Sequence, residues 1–105
     1  MILEELNQMI EEKPAVMIYF SGENCGVCKA LQPKIKDLFD KSFDKIEQIY
    51  LDVAQYKHIA VAFNIFSIPT MLVFLDGKEF IRKGRNLSIE LLKEKLQRPY
   101  DIFLG

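Results

Sequence analysis

The sequence predicts an α/β fold: a central mixed four-stranded sheet with helices on both faces, a three-layer sandwich. Three observations point to it. Helix and strand signals alternate along the chain in the order α-β-α-β-α-β-β-α. Ala15–Phe20 and Met71–Leu75 are unbroken apolar runs, as expected of strands covered on both faces. Asp76-Gly77 is a tight-turn dipeptide, so the strand that follows it returns antiparallel.

Each element has its own warrant. Ile2, Leu3, Leu6, Met9 and Ile10 recur at helical spacing opposite an acidic face, and Pro14 closes that segment near Glu12. The run Ala15–Phe20 is bounded by Pro14 and Gly22. A second helix is expected from Cys25 to about Lys41, with Asn24 as its cap. Ala30, Leu31, Ile35, Leu38 and Phe39 mark its buried stripe, and Pro33 should kink it. Ile46 to Val53 reads as a strand with Ile49 and Leu51 inward, and Tyr56 to Phe63 as a short helix whose first residues lie at the surface. Lys78 to Lys83 forms the return strand. Ser88 caps a last helix whose apolar side bears Ile89, Leu92 and Leu96. Pro99 is expected to stop this helix. Residues 98–105 then form an apolar C-terminal extension that folds back on the core or docks on a partner or second copy.

A chain of 105 residues favours one domain, residues 1–105. Half of the residues are apolar, enough for a core without a metal or disulfide staple. With 14 basic and 15 acidic residues the net charge is −1, so neither nucleic acid nor an acidic membrane surface is an expected partner. No segment approaches the ~20 apolar residues of a membrane span. The start, Met1-Ile2-Leu3-Glu4-Glu5-Leu6, has no basic region followed by an apolar run, and a cytoplasmic location is expected. The expected state is a monomer or weak homodimer.

The chemistry centres on Cys25-Gly26-Val27-Cys28, where a buried strand hands over to a helix. Two intervening residues let the sulfurs meet across the first helical turn. At a helix start, unpaired N–H groups and the macrodipole favour an anion, and the thiolate is the reactive form of cysteine. Cys25 is therefore the expected nucleophile towards a disulfide. Cys28, deeper in the helix and less exposed, is expected to resolve the mixed disulfide. Two other readings use the same residues. A C-x-x-C can be half of a zinc site, but that needs further ligands, and the single histidine, His58, lies in the predicted surface helix. The cysteines can also be inert core residues. Neither a metal nor another cofactor is expected.

The chain resembles the thioredoxin family. The resemblance rests on the apolar strand, Cys25-Gly26-Val27-Cys28-Lys29, Pro33, Ile68-Pro69-Thr70, Asp76-Gly77 and Gly84, and spans about Ala15 to Leu96. It implies a thioredoxin-like sandwich and a thiol–disulfide oxidoreductase acting on protein disulfides. A flavin-dependent thioredoxin reductase or similar donor would reduce it again. It also implies a cis Ile68-Pro69 bond against the dithiol, with Ile68 pairing to the substrate chain. Gly26, Val27, Ser67, Ile68 and Pro69 would then bind substrate, and Phe66 would line the same groove.

Four positions depart from the family pattern. Ser21 and Asn24 stand where thioredoxins carry tryptophans, and the chain has no tryptophan. Tyr19 replaces the buried aspartate credited with taking the proton of the resolving cysteine. Its loss predicts slower proton transfer at Cys28 unless Glu23 or water substitutes. Val27 replaces a proline and adds a backbone N–H that can stabilise the thiolate, so a more oxidising dithiol is expected. Two functions remain open on this reading: disulfide exchange, or a binding or redox-sensing module with little turnover.

Overall fold

The computed structural model describes all 105 residues, Met1–Gly105. Its elements are α1 (Leu3–Glu12), β1 (Ala15–Ser21), α2 (Gly26–Ser42), β2 (Glu47–Asp52), α3 (Lys57–Ala62), β3 (Thr70–Leu75), β4 (Lys78–Lys83) and α4 (Ile89–Phe103). The ends follow local chemistry. Glu5 reaches back to accept the Ile2 N–H at 2.9 Å, which satisfies one of the free donors at the start of α1. Lys13 precedes a proline and is extended, which ends α1. Asp76 and Gly77 have φ of 52° and 78°, the left-handed pair a two-residue hairpin needs between β3 and β4. The Ser88 hydroxyl accepts from Leu91 N–H and caps α4 as expected.

The sheet order is β2-β1-β3-β4. β1 pairs parallel with β2 and antiparallel with β3, and β3 pairs antiparallel with β4. Side chains alternate across the sheet, so each central strand feeds two cores. Ala15, Met17 and Tyr19 of β1, with Met71, Val73 and Leu75 of β3, meet Ile35 and Phe39 of α2 and Leu92 and Leu96 of α4. Val16, Ile18 and Phe20, with Leu72 and Phe74, meet Leu6 and Ile10 of α1 and Ile59 and Ala60 of α3. Two covered faces explain why these strands read as apolar runs without alternation. Ile49 and Leu51 are buried, as predicted for β2.

Three expectations need correction. Ala30 is exposed and Leu31 only half-buried, so the residues of α2 that are buried are Cys28, Ile35, Leu38 and Phe39. Tyr56 is half-buried and packs on the second core instead of lying at the surface. Pro99 does not stop α4, which runs on to Phe103. A helix-interior proline costs about 3 kcal/mol. Burial of Tyr100, 7% exposed and stacked edge-on against Phe43 at 5.1 Å, offsets a cost of that size. Pro33 likewise lies inside α2 without ending it.

The register positions the site. Phe20, near the end of β1, pairs with Thr70, the first residue of β3. The loop leading into α2 and the loop holding Pro69 therefore leave the sheet side by side.

Candidate active site

Cys25 is the N-cap of α2, not the first helical residue, and the predicted cap Asn24 lies one position too early. Gly26, Val27 and Cys28 are consequently the first three helical residues. A capping side chain accepts from the second or third helical N–H. Here that acceptor is sulfur: Cys28 N–H donates to Cys25 Sγ at 3.2 Å. The Cys25 sulfur thus sits where the free N–H groups and dipole of a 17-residue helix favour negative charge. In this disulfide form the N–H that meets the Cys25 sulfur is that of Cys28.

Cys25 and Cys28 are joined as a disulfide, with Cα atoms 5.2 Å apart. Their exposures differ as expected. Cys25 is half-buried, whereas Cys28 is 1% exposed. Between them Gly26 and Val27 are exposed, Val27 at 40%. No group of three or more His, Cys, Asp or Glu side chains is placed to hold a metal ion, and His58 lies exposed on α3.

The second loop meets the first. The Ile68-Pro69 bond is cis. A Cβ built on Gly22 would lie 2.7 Å from Ile68 Cδ1, so the Ile68 side chain fills the space that glycine leaves beside the β1–α2 loop. Thr70 Oγ1 donates to the Ser67 carbonyl at 2.7 Å and tightens the turn before β3. Pro69 is buried, Ile68 half-buried, and Ser67 exposed. Phe66 is 91% exposed and is the outermost apolar group of this loop.

Sequence reasoning missed two contacts. Arg85 donates from Nη2 to the Ile68 carbonyl at 3.3 Å, bridging from the loop after β4. Nothing local in the sequence pairs those residues. Tyr19, singled out only as a replacement, is fully buried and donates from its hydroxyl to the Cys28 carbonyl at 2.8 Å. Burial pushes its phenol pKa up to about 12. Glu23 is exposed on the loop.

A cysteine pair at a helix N-terminus, one sulfur reachable and one enclosed, defines a thiol–disulfide oxidoreductase on a mixed α/β sheet. Comparison with known proteins agrees. The thioredoxin family model matches residues 2–98. The thioredoxin-like protein YdfQ of Bacillus subtilis is 31% identical over 98% of this chain and 91% of its own length. The thioredoxin of Mycoplasma genitalium is 32% identical over 73% of this chain and 74% of its own. Among solved structures, thioredoxin 1 of Thermosipho africanus aligns with TM-score 0.73 and 31% identity, over 83% of this chain and 96% of that one. Oxidised thioredoxin of Plasmodium falciparum aligns with TM-score 0.75 and 26% identity, covering 90% and 91%. The chain belongs to the thioredoxin family.

Proposed function

We propose that this protein reduces disulfides in protein substrates through a mixed disulfide on Cys25. Starting from the dithiol, the Cys25 thiolate attacks one substrate sulfur and the substrate S–S bond breaks. The released substrate thiolate takes up a proton. Cys28 gives up its proton and attacks Cys25 Sγ, the mixed disulfide breaks, and the second substrate thiol leaves. Two electrons and two protons pass to the substrate, and the Cys25–Cys28 disulfide forms. A flavin-dependent thioredoxin reductase or similar donor then restores the dithiol. The observation supporting this order is the asymmetry of the pair: a half-buried capping sulfur and a buried partner sulfur.

Gly26 and Val27 on one side and Ser67, Ile68 and Pro69 on the other form the substrate rim of this reading, supported by the meeting of the two loops at Gly22 and Ile68. The reading places the protein in the cytoplasm, as a single domain over residues 1–105, monomeric or weakly dimeric. No helix is long and apolar enough to cross a membrane.

Insulin reduction driven by dithiothreitol tests the activity. Wild type should accelerate precipitation well above the dithiothreitol background and Cys25→Ser should not. Equal rates for both would favour the second reading, a binding or redox-sensing module with little turnover. The replacement of the family's buried aspartate by Tyr19 is the observation that keeps that second reading in view.

A further inference from the structure

We propose that Tyr19 is a positioning residue for the resolving step: its buried hydroxyl holds the Cys28 carbonyl and so keeps the Cys28 sulfur aligned on Cys25. This rests on the exchange mechanism above.

The first turn of α2 has few ties of its own. Its N–H groups lack backbone partners within the helix, as at any helix start, and that of Cys28 is met by Cys25 Sγ. Gly26, its first residue, has no side chain, and a Cβ there would meet nothing within 4 Å. Further along, Pro33 has no N–H to donate to the Lys29 carbonyl. Tyr19 supplies a tie from below. It stands on β1, paired to Tyr50 on one side and Met71 on the other, in the middle of the sheet. From that base its hydroxyl meets the Cys28 carbonyl at 2.8 Å.

The ring is braced in turn. Tyr50 packs edge-on against it at 6.0 Å. The Tyr50 hydroxyl donates to Gln48 Oε1 at 2.7 Å, and Gln48 Nε2 donates to Asp40 Oδ1 at 2.8 Å. Asp40 is on α2, so the series leaves α2 at Cys28 and returns to it three turns later. A phenol raised to about 12 stays protonated and donates throughout the working range. Tyr19 is therefore a poor acceptor for the Cys28 proton, unlike the carboxylate it replaces, and acts through geometry. Geometry matters most at Cys28, because a small misplacement of reacting atoms slows a reaction steeply.

Tyr19→Phe keeps the ring and removes the hydroxyl. Tyr100→Phe is the control, since it deletes two half-shielded hydroxyl bonds elsewhere in the same core. Both full-length variants, checked by thermal melting, are reduced and mixed with a disulfide peptide bearing a fluorophore. Formation and decay of the mixed disulfide are followed in one turnover by acid quench. For Tyr19→Phe, decay should slow about five-fold, equivalent to ~1 kcal/mol, with formation within two-fold of wild type. Tyr100→Phe should leave both phases unchanged. Unchanged decay in Tyr19→Phe would overturn the assignment, as would a parallel slowing of both phases in the two variants. If reduced Cys28→Ser, which has no resolving sulfur, forms no mixed disulfide with the peptide, the exchange mechanism itself fails, an outcome separate from a Tyr19 effect.

Discussion

Replacing Tyr100 with alanine tests whether the last helix is part of the core. Tyr100 is 7% exposed, and its ring lies 5.1 Å from that of Phe43. Its hydroxyl accepts from Lys45 N–H and donates to Asp44 Oδ1, both at 3.2 Å. Truncating a buried aromatic costs about 3–5 kcal/mol, of which the edge-on contact is one part. At roughly 4–8 °C per kcal/mol for a domain of this size, the midpoint should fall by at least about 12 °C. Tyr100→Phe loses only the hydroxyl bonds and should cost about 1 kcal/mol. Ile102→Ser and Phe103→Ser alter residues that are 69% and 53% exposed and should change stability by less than about 0.5 kcal/mol. Urea unfolding of the four variants measures the set. A Tyr100→Ala loss below about 1 kcal/mol, or no difference between Tyr100 and its exposed neighbours, would refute the packing described for α4.

Three further outcomes follow from the geometry. Val27→Pro should shift the reduction potential by less than about 30 mV, roughly a tenfold change in the exchange equilibrium, because Cys28 N–H remains to bond Cys25 Sγ; a larger shift in a glutathione titration would show that the Val27 N–H stabilises the thiolate. Tyr19 and Tyr50 favour the protonated phenol when folded, both raised from 10.0 to about 12 mainly by burial. The stability they contribute is whole below pH 10.0 and is lost as pH rises towards about 12, so absorbance at 295 nm should show these two ionising late and together with unfolding. Early, independent ionisation of all four tyrosines would contradict their burial. Gly77→Ala places a side chain at φ 78° and should cost about 1–2 kcal/mol in urea unfolding, whereas a neutral result would mean the hairpin adopts another turn.

Much of the fold was legible because both sheet faces are covered. The runs Ala15–Phe20 and Met71–Leu75 had to be central strands, and Asp76-Gly77 had to turn the chain. Pro99 misled because its local cost is visible in sequence, while its compensation is Tyr100 meeting Phe43, 57 positions away. At the site, Cys25 and Cys28 could be read from spacing, but the capping register could not. Asn24 is the better capping residue by type, yet the helix starts at Gly26 and gives the cap to a cysteine. The contacts Tyr19–Cys28 and Arg85–Ile68 join separate elements, and no periodicity signals them.

Trapping a substrate on one sulfur tests the central claim most directly. Cys28→Ser leaves the capping sulfur free and removes the resolving one, so reduced Cys28→Ser incubated with a disulfide peptide should accumulate a mixed disulfide whose mapped linkage is at Cys25. Cys25→Ser should accumulate little, because its remaining sulfur belongs to a residue only 1% exposed in the structure. Equal trapping by both variants, or trapping on Cys28 alone, would contradict the assignment of Cys25 as the attacking thiolate.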